Sequence, residues 1–316
     1  MEVGVATDVG AGQQTYEDAW SAEQLHRNVT LLGVADGFGR AHGIPAATLV
    51  LETVREAVRR ELRRATFPAR TLSPTDVRQL LISAFSEAND RLYRLGGGSD
   101  DSVTAASTCT TALIINDQAF IAHVGDSRAY LLRRNELVAL TNDESILPEL
   151  VRSGGRAPRS TKSRSARPLL MRALGIENSV AVSPKVVHYT LHQRDSIALL
   201  TDGAHRALPL AELQAALASK EGAEACAQRV IALARVGGAA DNATVVFARE
   251  ATTHGSPAEQ GQPPNKRRSS GKQLLVSLAF FVAVAIALAV WWFGFQHRAV
   301  TPRWQSETQA AAMWSV

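Results

Sequence analysis

Apolar residues recur with two different periods along the first 250 positions. Ile44, Ala47, Leu51, Val54, Val58 and Leu62 fall three to four apart and predict an amphipathic helix over 44–62. Val77, Leu80, Leu81, Ala84, Phe85, Ala88 and Leu92 make a second such stripe, and Gly96–Gly98 closes it. Two shorter amphipathic segments follow Pro209, over 210–218 and 223–236. The remaining apolar runs are short and rich in β-branched residues: Val3–Thr7, Val29–Ala35, Thr111–Ile115, Ala119–Val124, Ala129–Arg133, Val186–Thr190, Ser196–Leu200 and Ala243–Phe247. Asn116-Asp117 reads as a tight hairpin between two of them, and Gly125-Asp126 as a hairpin between the next pair. Consecutive hairpins imply antiparallel sheet. The helical stripes are grouped in sequence rather than alternating with the strands, so the pattern predicts a layered α+β domain over 1–250 instead of a doubly wound one.

Beyond that the pattern changes. Thr252 to Lys272 has no periodicity and many Gly, Pro and Ser residues, and reads as a flexible basic linker over 251–272. Leu274 to Phe295 carries no charge; as a helix it would be about 33 Å long, enough to cross the hydrocarbon core. Trp291 and Trp292 lie near its far end, where indole rings favour the membrane interface. A transmembrane helix is therefore expected over 273–296, with a short extracytoplasmic tail at 297–316. Lys266, Arg267, Arg268 and Lys272 precede the run and only Arg298 and Arg303 follow it, which places the larger domain in the cytoplasm. The N-terminus lacks a basic and apolar leader, so no signal peptide is expected. The combined expectation is a single-pass protein of the inner membrane.

The formal net charge of +4 does not point to nucleic acid. Six of the 34 bases and two of the 30 acids lie in 251–316, so the first 250 residues hold 28 of each. A neutral body with a basic tail is not the footprint of a nucleic-acid-binding domain. Cys109 and Cys226 sit in apolar contexts and read as buried thiols rather than a disulfide.

Five short acidic motifs cross this neutral body: Glu17-Asp18, Asp36-Gly37, Gly125-Asp126-Ser127-Arg128, Asp202-Gly203 and Asp241-Asn242. Four of them adjoin a β-prone run, although Asp is a poor strand residue. One Asp-Gly alone is foremost a turn signal. Carboxylates gathered at strand ends are costly unless neutralised, and hard divalent cations neutralise them with oxygen ligands.

With their flanks, Thr7-Asp8-Val9-Gly10, Gly33-Val34-Ala35-Asp36-Gly37-Phe38-Gly39, Ala122-His123-Val124-Gly125-Asp126-Ser127-Arg128, Arg172-Ala173-Leu174-Gly175, Leu199-Leu200-Thr201-Asp202-Gly203 and Asp241-Asn242-Ala243-Thr244-Val245, the motifs resemble those of the metal-dependent protein phosphatases, the PPM or type 2C serine/threonine family, in its bacterial, membrane-anchored form. The resemblance covers about residues 1–250. It implies a four-layer α-β-β-α sandwich with two divalent cations, Mn2+ or Mg2+, at one end. By motif position it implies that Asp36 bridges both ions, that Gly37 contributes its carbonyl, that Asp18 serves the second ion through water, and that Asp202 and Asp241 hold the first. Asp126 is implied for a third, weaker ion, and Glu17 for hydrogen bonds to metal-bound waters. The implied reaction is attack on the phosphoester by a metal-activated water. His42, six residues after Asp36, is the candidate to protonate the leaving serine or threonine oxygen.

Two departures from the family pattern bear on substrate. Gln13 stands where the family has a phosphate-clamping Arg, and Tyr16 where it has Asn. Gln offers neutral donors in place of a charged fork, so phosphate binding is expected to be weaker. Glu144 replaces a His in Thr141-Asn142-Asp143-Glu144-Ser145. The segment 151–172 holds Arg152, Arg156, Arg159, Lys162, Arg164, Arg167 and Arg172 and no acid, and Arg164 and Arg167 are candidates to supply the missing phosphate contact. The expectation is a phosphatase acting on phosphorylated proteins, with a Ser/Thr kinase at the same membrane as its counterpart. The alternative is a binding module that keeps the fold and recognises phosphoproteins with little catalysis; the intact aspartates weigh against it.

Overall fold

The computed structural model describes residues 1–65, 72–96, 104–144, 172–176 and 184–250. Residues Met1–Thr252 form one compact unit. The remainder, with the linker, the expected membrane helix and the tail, lies outside the described residues, as does the basic segment 151–171. No helix among the described residues is long and apolar enough to cross a membrane.

Two antiparallel sheets make the centre. The smaller runs in the order β1 (Glu2–Asp8), β12 (Ala243–Arg249), β11 (Ser196–Leu200), β8 (Arg128–Arg133), β9 (Glu136–Ala139). The larger runs β10 (Lys185–Thr190), β7 (Gln118–Val124), β6 (Cys109–Ile115), β3 (Val29–Ala41), β2 (Asp18–His26), and the far end of β3 also pairs with β4 (Ile44–Pro45) and β5 (Ala105–Ser107). Helices α1 (Ala46–Arg64) and α2 (Pro74–Leu95) cover the larger sheet; α3 (Asp202–His205), α4 (Leu210–Leu217) and α5 (Ala223–Val236) cover the smaller. The order of layers is α-β-β-α.

Strand alternation shows why the central strands read as unbroken apolar runs. In β3, Val29, Leu31 and Ala35 pack under α1 and α2, while Leu32 and Val34 point into the layer between the sheets. In β12, Val245 and Phe247 face α5, and Val246 and Ala248 face the other sheet. Both faces of each strand are covered, so neither can be polar. Phe85 and Phe247 are wholly buried, and truncating either to Ala would cost about 3–5 kcal/mol.

Helix α2 begins with a capping box: Ser73 Oγ accepts the Asp76 N–H at 3.2 Å, and Asp76 Oδ2 accepts the Ser73 N–H at 3.1 Å, with Pro74 in the first turn. The stripe from Ile44 predicts a helix two residues too early, because Ile44 and Pro45 instead pair with Ala41 and Arg40. Strands β2 and β9 escaped the apolar pattern. β2 is an edge strand whose residues are all half-buried or exposed, so no run of large apolar side chains marks it.

Gly125-Asp126 is not a hairpin. β7 belongs to the larger sheet and β8 to the smaller, so the chain crosses between sheets here. Gly125 makes the crossing at φ 108°, where a Cβ would come within 2.6 Å of the Thr108 side chain. The 116–117 hairpin is present, with Asn116 at φ 55°. Cys109 and Cys226 are buried free thiols.

Candidate active site

Strand parity brings the acidic residues together before any contact is measured. Asp36 follows Leu32 and Val34 on the inter-sheet face of β3, and Asp18 is its direct cross-strand partner on β2. Thr244 precedes Val246 and Ala248 on the inter-sheet face of β12. The two faces meet: Asp18 Oδ2 accepts hydrogen bonds from Thr244 Oγ1 at 2.7 Å and Thr201 Oγ1 at 2.8 Å. Asp18 Oδ1 is buried and has no hydrogen-bond partner. β3 does not end at Asp36 but runs on to Ala41, and its register across Asp36 is held by Thr108: the Asp36 N–H donates to Thr108 Oγ1 at 2.9 Å and the Asp36 carbonyl accepts the Thr108 N–H at 2.8 Å. Gly37 is required by closeness, since a Cβ there would lie 2.7 Å from the Ala47 nitrogen at the start of α1. Its own N–H donates to the Glu17 carbonyl at 3.1 Å.

The first-motif loop is fastened by one amide. Asn242 Oδ1 accepts the N–H groups of Glu17 at 2.5 Å and Asp18 at 3.3 Å, while Asn242 Nδ2 donates to the carbonyls of Val9 at 2.7 Å and Thr15 at 3.2 Å. Asn242 is 3% exposed. Next to it, Asp241 Oδ1 accepts from the Asn242 N–H at 3.0 Å and from Gln13 Nε2 at 3.1 Å. Gln13 thus stands at the rim of the acidic cluster with its amide hydrogen-bonded to a carboxylate.

Asp202 opens the short helix α3, and Arg206 lies one turn on, on the same face. Arg206 Nη1 meets Asp202 Oδ2 at 2.7 Å, and Arg206 Nη2 meets Asp126 Oδ2 at 2.5 Å. Asp126 is 3% exposed, and its Oδ1 has no hydrogen-bond partner. The crossover places it there, with His205 Nε2 2.9 Å from its backbone carbonyl. Burial holds His205 neutral, lowered to about 4, helped by the nearby Arg128 charge.

The electrostatics show convergence. Burial pushes the Asp18 carboxyl up to about 7; its two threonine hydrogen bonds oppose this, while the charges of Asp202 and Asp241 add to it. Asp36 is raised well above the usual carboxylate range, by burial first and then by the charges of Asp18, Asp202, Asp241 and Asp126. Asp126 is raised to about 6 by burial and Asp202, against the Arg206 charge. Carboxylates this buried and this close are unstable as anions without added positive charge. A partnerless buried oxygen on Asp18, and an all-oxygen donor set, fit a hard divalent cation. Among the described residues no three acidic, His or Cys side chains already close into a ligand cage. One oxygen each of Asp18, Asp126, Asp202 and Asp241 is engaged, by Thr, by Arg, or by Gln and Asn.

Of the residues expected from sequence, Asp18, Asp36, Gly37, Asp126, Asp202 and Asp241 come together, with Glu17 and Gln13 at the edge. His42 does not. His42 and Gly43 have φ 48° and 83° and form the exposed tip of the hairpin joining β3 to β4. That tip lies six residues beyond Asp36, past a turn of the backbone at Gly39, φ 73°. Arg164 and Arg167 lie outside the described residues. Arg172 pairs with Glu144 at 3.1 Å, as does Lys185 at 3.0 Å. Sequence reasoning missed Asn242, Thr108, Thr201, Thr244 and Arg206 as parts of the site. All but Thr108 and Arg206 lay inside the quoted motifs, and Arg206 was signalled by its i,i+4 spacing from Asp202.

A family model described as Protein phosphatase 2C matches residues 10–239. The chain belongs to the protein phosphatase 2C family. It is 28% identical over 248 residues to the serine/threonine phosphatase stp of Listeria welshimeri, covering 78% of this chain and 95% of that one. It is 30% identical over 227 residues to the serine/threonine protein phosphatase PstP of Mycobacterium tuberculosis, covering 72% of this chain and 41% of that longer protein. Among solved structures, the catalytic domain of PstP in complex with two manganese ions superposes with a TM-score of 0.60 at 26% identity, covering 78% of this chain and 96% of that one.

Proposed function

We propose that this chain is a membrane-tethered phosphatase that removes phosphate from serine and threonine in proteins, opposing a Ser/Thr kinase at the same membrane. Family membership makes it a protein phosphatase of the 2C type. The observation that carries the chemical reading is the convergence of Asp18, Asp36, Asp126, Asp202 and Asp241 at the open end of the inter-sheet layer.

Asp36, Asp202, Asp241 and Asp18, with the Gly37 carbonyl, are the residues that would hold two divalent cations, Mn2+ or Mg2+. Such cations supply a nucleophilic water near neutral pH and screen the charge of the phosphoryl oxygens. The protein's own part is positional. Thr201 and Thr244 fix which oxygen of Asp18 faces inward. Thr108 fixes Asp36, and Asn242 holds the loop that carries Gln13 and Glu17. Gln13, hydrogen-bonded to Asp241, stands beside the phosphate's entry with a neutral amide. His42, the sequence's candidate for the leaving oxygen, sits at the exposed tip of the hairpin joining β3 to β4.

The uncharged run 274–295 and its basic N-terminal flank support a single span with the phosphatase domain in the cytoplasm. A periplasm-dependent reporter should be active when fused after Val316 and silent when fused after Glu250; the reverse pattern refutes the topology. For the chemistry, the full chain in detergent should hydrolyse a phosphothreonine peptide with Mn2+, lose this with chelator, and lose it in Asp36→Asn. Native activity in Asp36→Asn would sink the two-cation reading.

A further inference from the structure

One corner of the carboxylate cluster already contains a cation. Asp126 and Asp202 come from different parts of the fold, the crossover between the sheets and the first turn of α3, and a single guanidinium joins them. Arg206 reaches both with separate nitrogens, at 2.5 and 2.7 Å, so that one guanidinium bridges two carboxylates with charge-assisted hydrogen bonds. The charge is permanent, because Arg does not lose its proton in proteins. The arrangement is also built in rather than incidental. Both carboxylate side chains are largely buried, at 4% and 14% exposure, and the helical i,i+4 spacing presets Arg206 over Asp202.

This is where the family resemblance implies a third, weaker divalent ion at Asp126. The residues present do not fit that ion. One oxygen of Asp126 and one of Asp202 are taken by Arg206, and a divalent cation drawn to what remains would lie within a few ångströms of a fixed positive charge. We infer that Arg206 takes the place of the third cation: its guanidinium permanently neutralises the Asp126 corner, so that the protein binds two divalent ions and not three. The inference rests on the two-cation reading of the cluster.

The consequence is countable. Equilibrium dialysis of the full chain in detergent, with bound Mn2+ measured by elemental analysis, should give two Mn2+ per native chain. Arg206→Ala and Arg206→Met should each give three, the added site being the weakest; Met keeps the aliphatic stem in case Ala disturbs packing. Adding Asp126→Asn to either variant should return the count to two. Three ions in the native chain overturn the inference without any variant. Two ions in both Arg206 variants, each melting as a folded protein, overturn it as well while leaving the two-cation reading intact. A native count below two overturns both, which separates failure of the underlying reading from failure of the inference.

Discussion

Replacing Asn242 by Ala should loosen the acidic cluster without unfolding the domain. The side chain makes four hydrogen bonds to the 9–18 segment, two short at 2.5 and 2.7 Å and two long at 3.2 and 3.3 Å. A net hydrogen bond contributes roughly 0.5–1.5 kcal/mol, and a buried partner left unsatisfied costs about 1–3 kcal/mol. The two long bonds contribute little, and the segment borders solvent, so water can replace part of what is lost. The stability loss should therefore be about 2–4 kcal/mol, below the roughly 5–15 kcal/mol of a typical domain. The larger effect falls on Asp18, whose N–H and neighbouring Glu17 N–H lose their anchor, so the concentration of Mn2+ needed for half-activation should rise at least about tenfold. Urea unfolding monitored at two wavelengths gives the first quantity, and Mn2+ titration of phosphopeptide hydrolysis gives the second. A stability change under about 0.5 kcal/mol with an unchanged Mn2+ requirement would refute the role assigned to this amide.

Thr201→Val and Thr244→Val each remove one hydrogen bond to Asp18 Oδ2, and Mn2+ half-activation should shift about 10–100-fold in either; an unshifted titration in both would show that Asp18 needs no such orientation. Asp195, far from the cluster, is buried on β11's leading edge; burial works to raise its carboxyl, but hydrogen bonds from Arg133 and the His192 N–H hold it below the usual value. A depressed folded pKa contributes stability above the unfolded value of about 3.9, and that contribution is lost as pH falls through the folded value. Thermal melts of the native chain should therefore fall more steeply than those of Asp195→Asn below about pH 4, and parallel acid arms would contradict the assignment.

Much of this was written in the sequence, and what was hidden had physical causes. Period-3.6 stripes located α1 and α2 because each buries only one face. The strands β3, β6, β11 and β12 were plain because both of their faces are covered. β2 was invisible for the opposite reason: it lies on an edge, half exposed, yet it presents Asp18. The Gly125-Asp126 turn was misread because turn chemistry specifies a change of direction and not which sheet receives the chain. The acidic residues could be listed from their motifs, but their convergence depends on register, and register is a property of pairs of strands. Arg206 carries the same lesson at the level of charge. The four-residue spacing placed it near Asp202, while its second partner, Asp126, is visible only once the two sheets are stacked.

The pairing of β1 with β12 joins Glu2 to Arg249, and among the described residues β1 has no other neighbour in its sheet. Among the described strands the first to be made, β1, therefore waits for the last, β12. Asp18 and Asp36 emerge early, but the threonine and asparagine that orient the first motif, Thr244 and Asn242, are among the final residues of the domain to appear. Such long-range closure slows folding, since the ends must meet before their contacts repay the ordering of the chain between them. A chain cut before β12 therefore lacks the hydrogen bonds that orient Asp18 and anchor the loop before it.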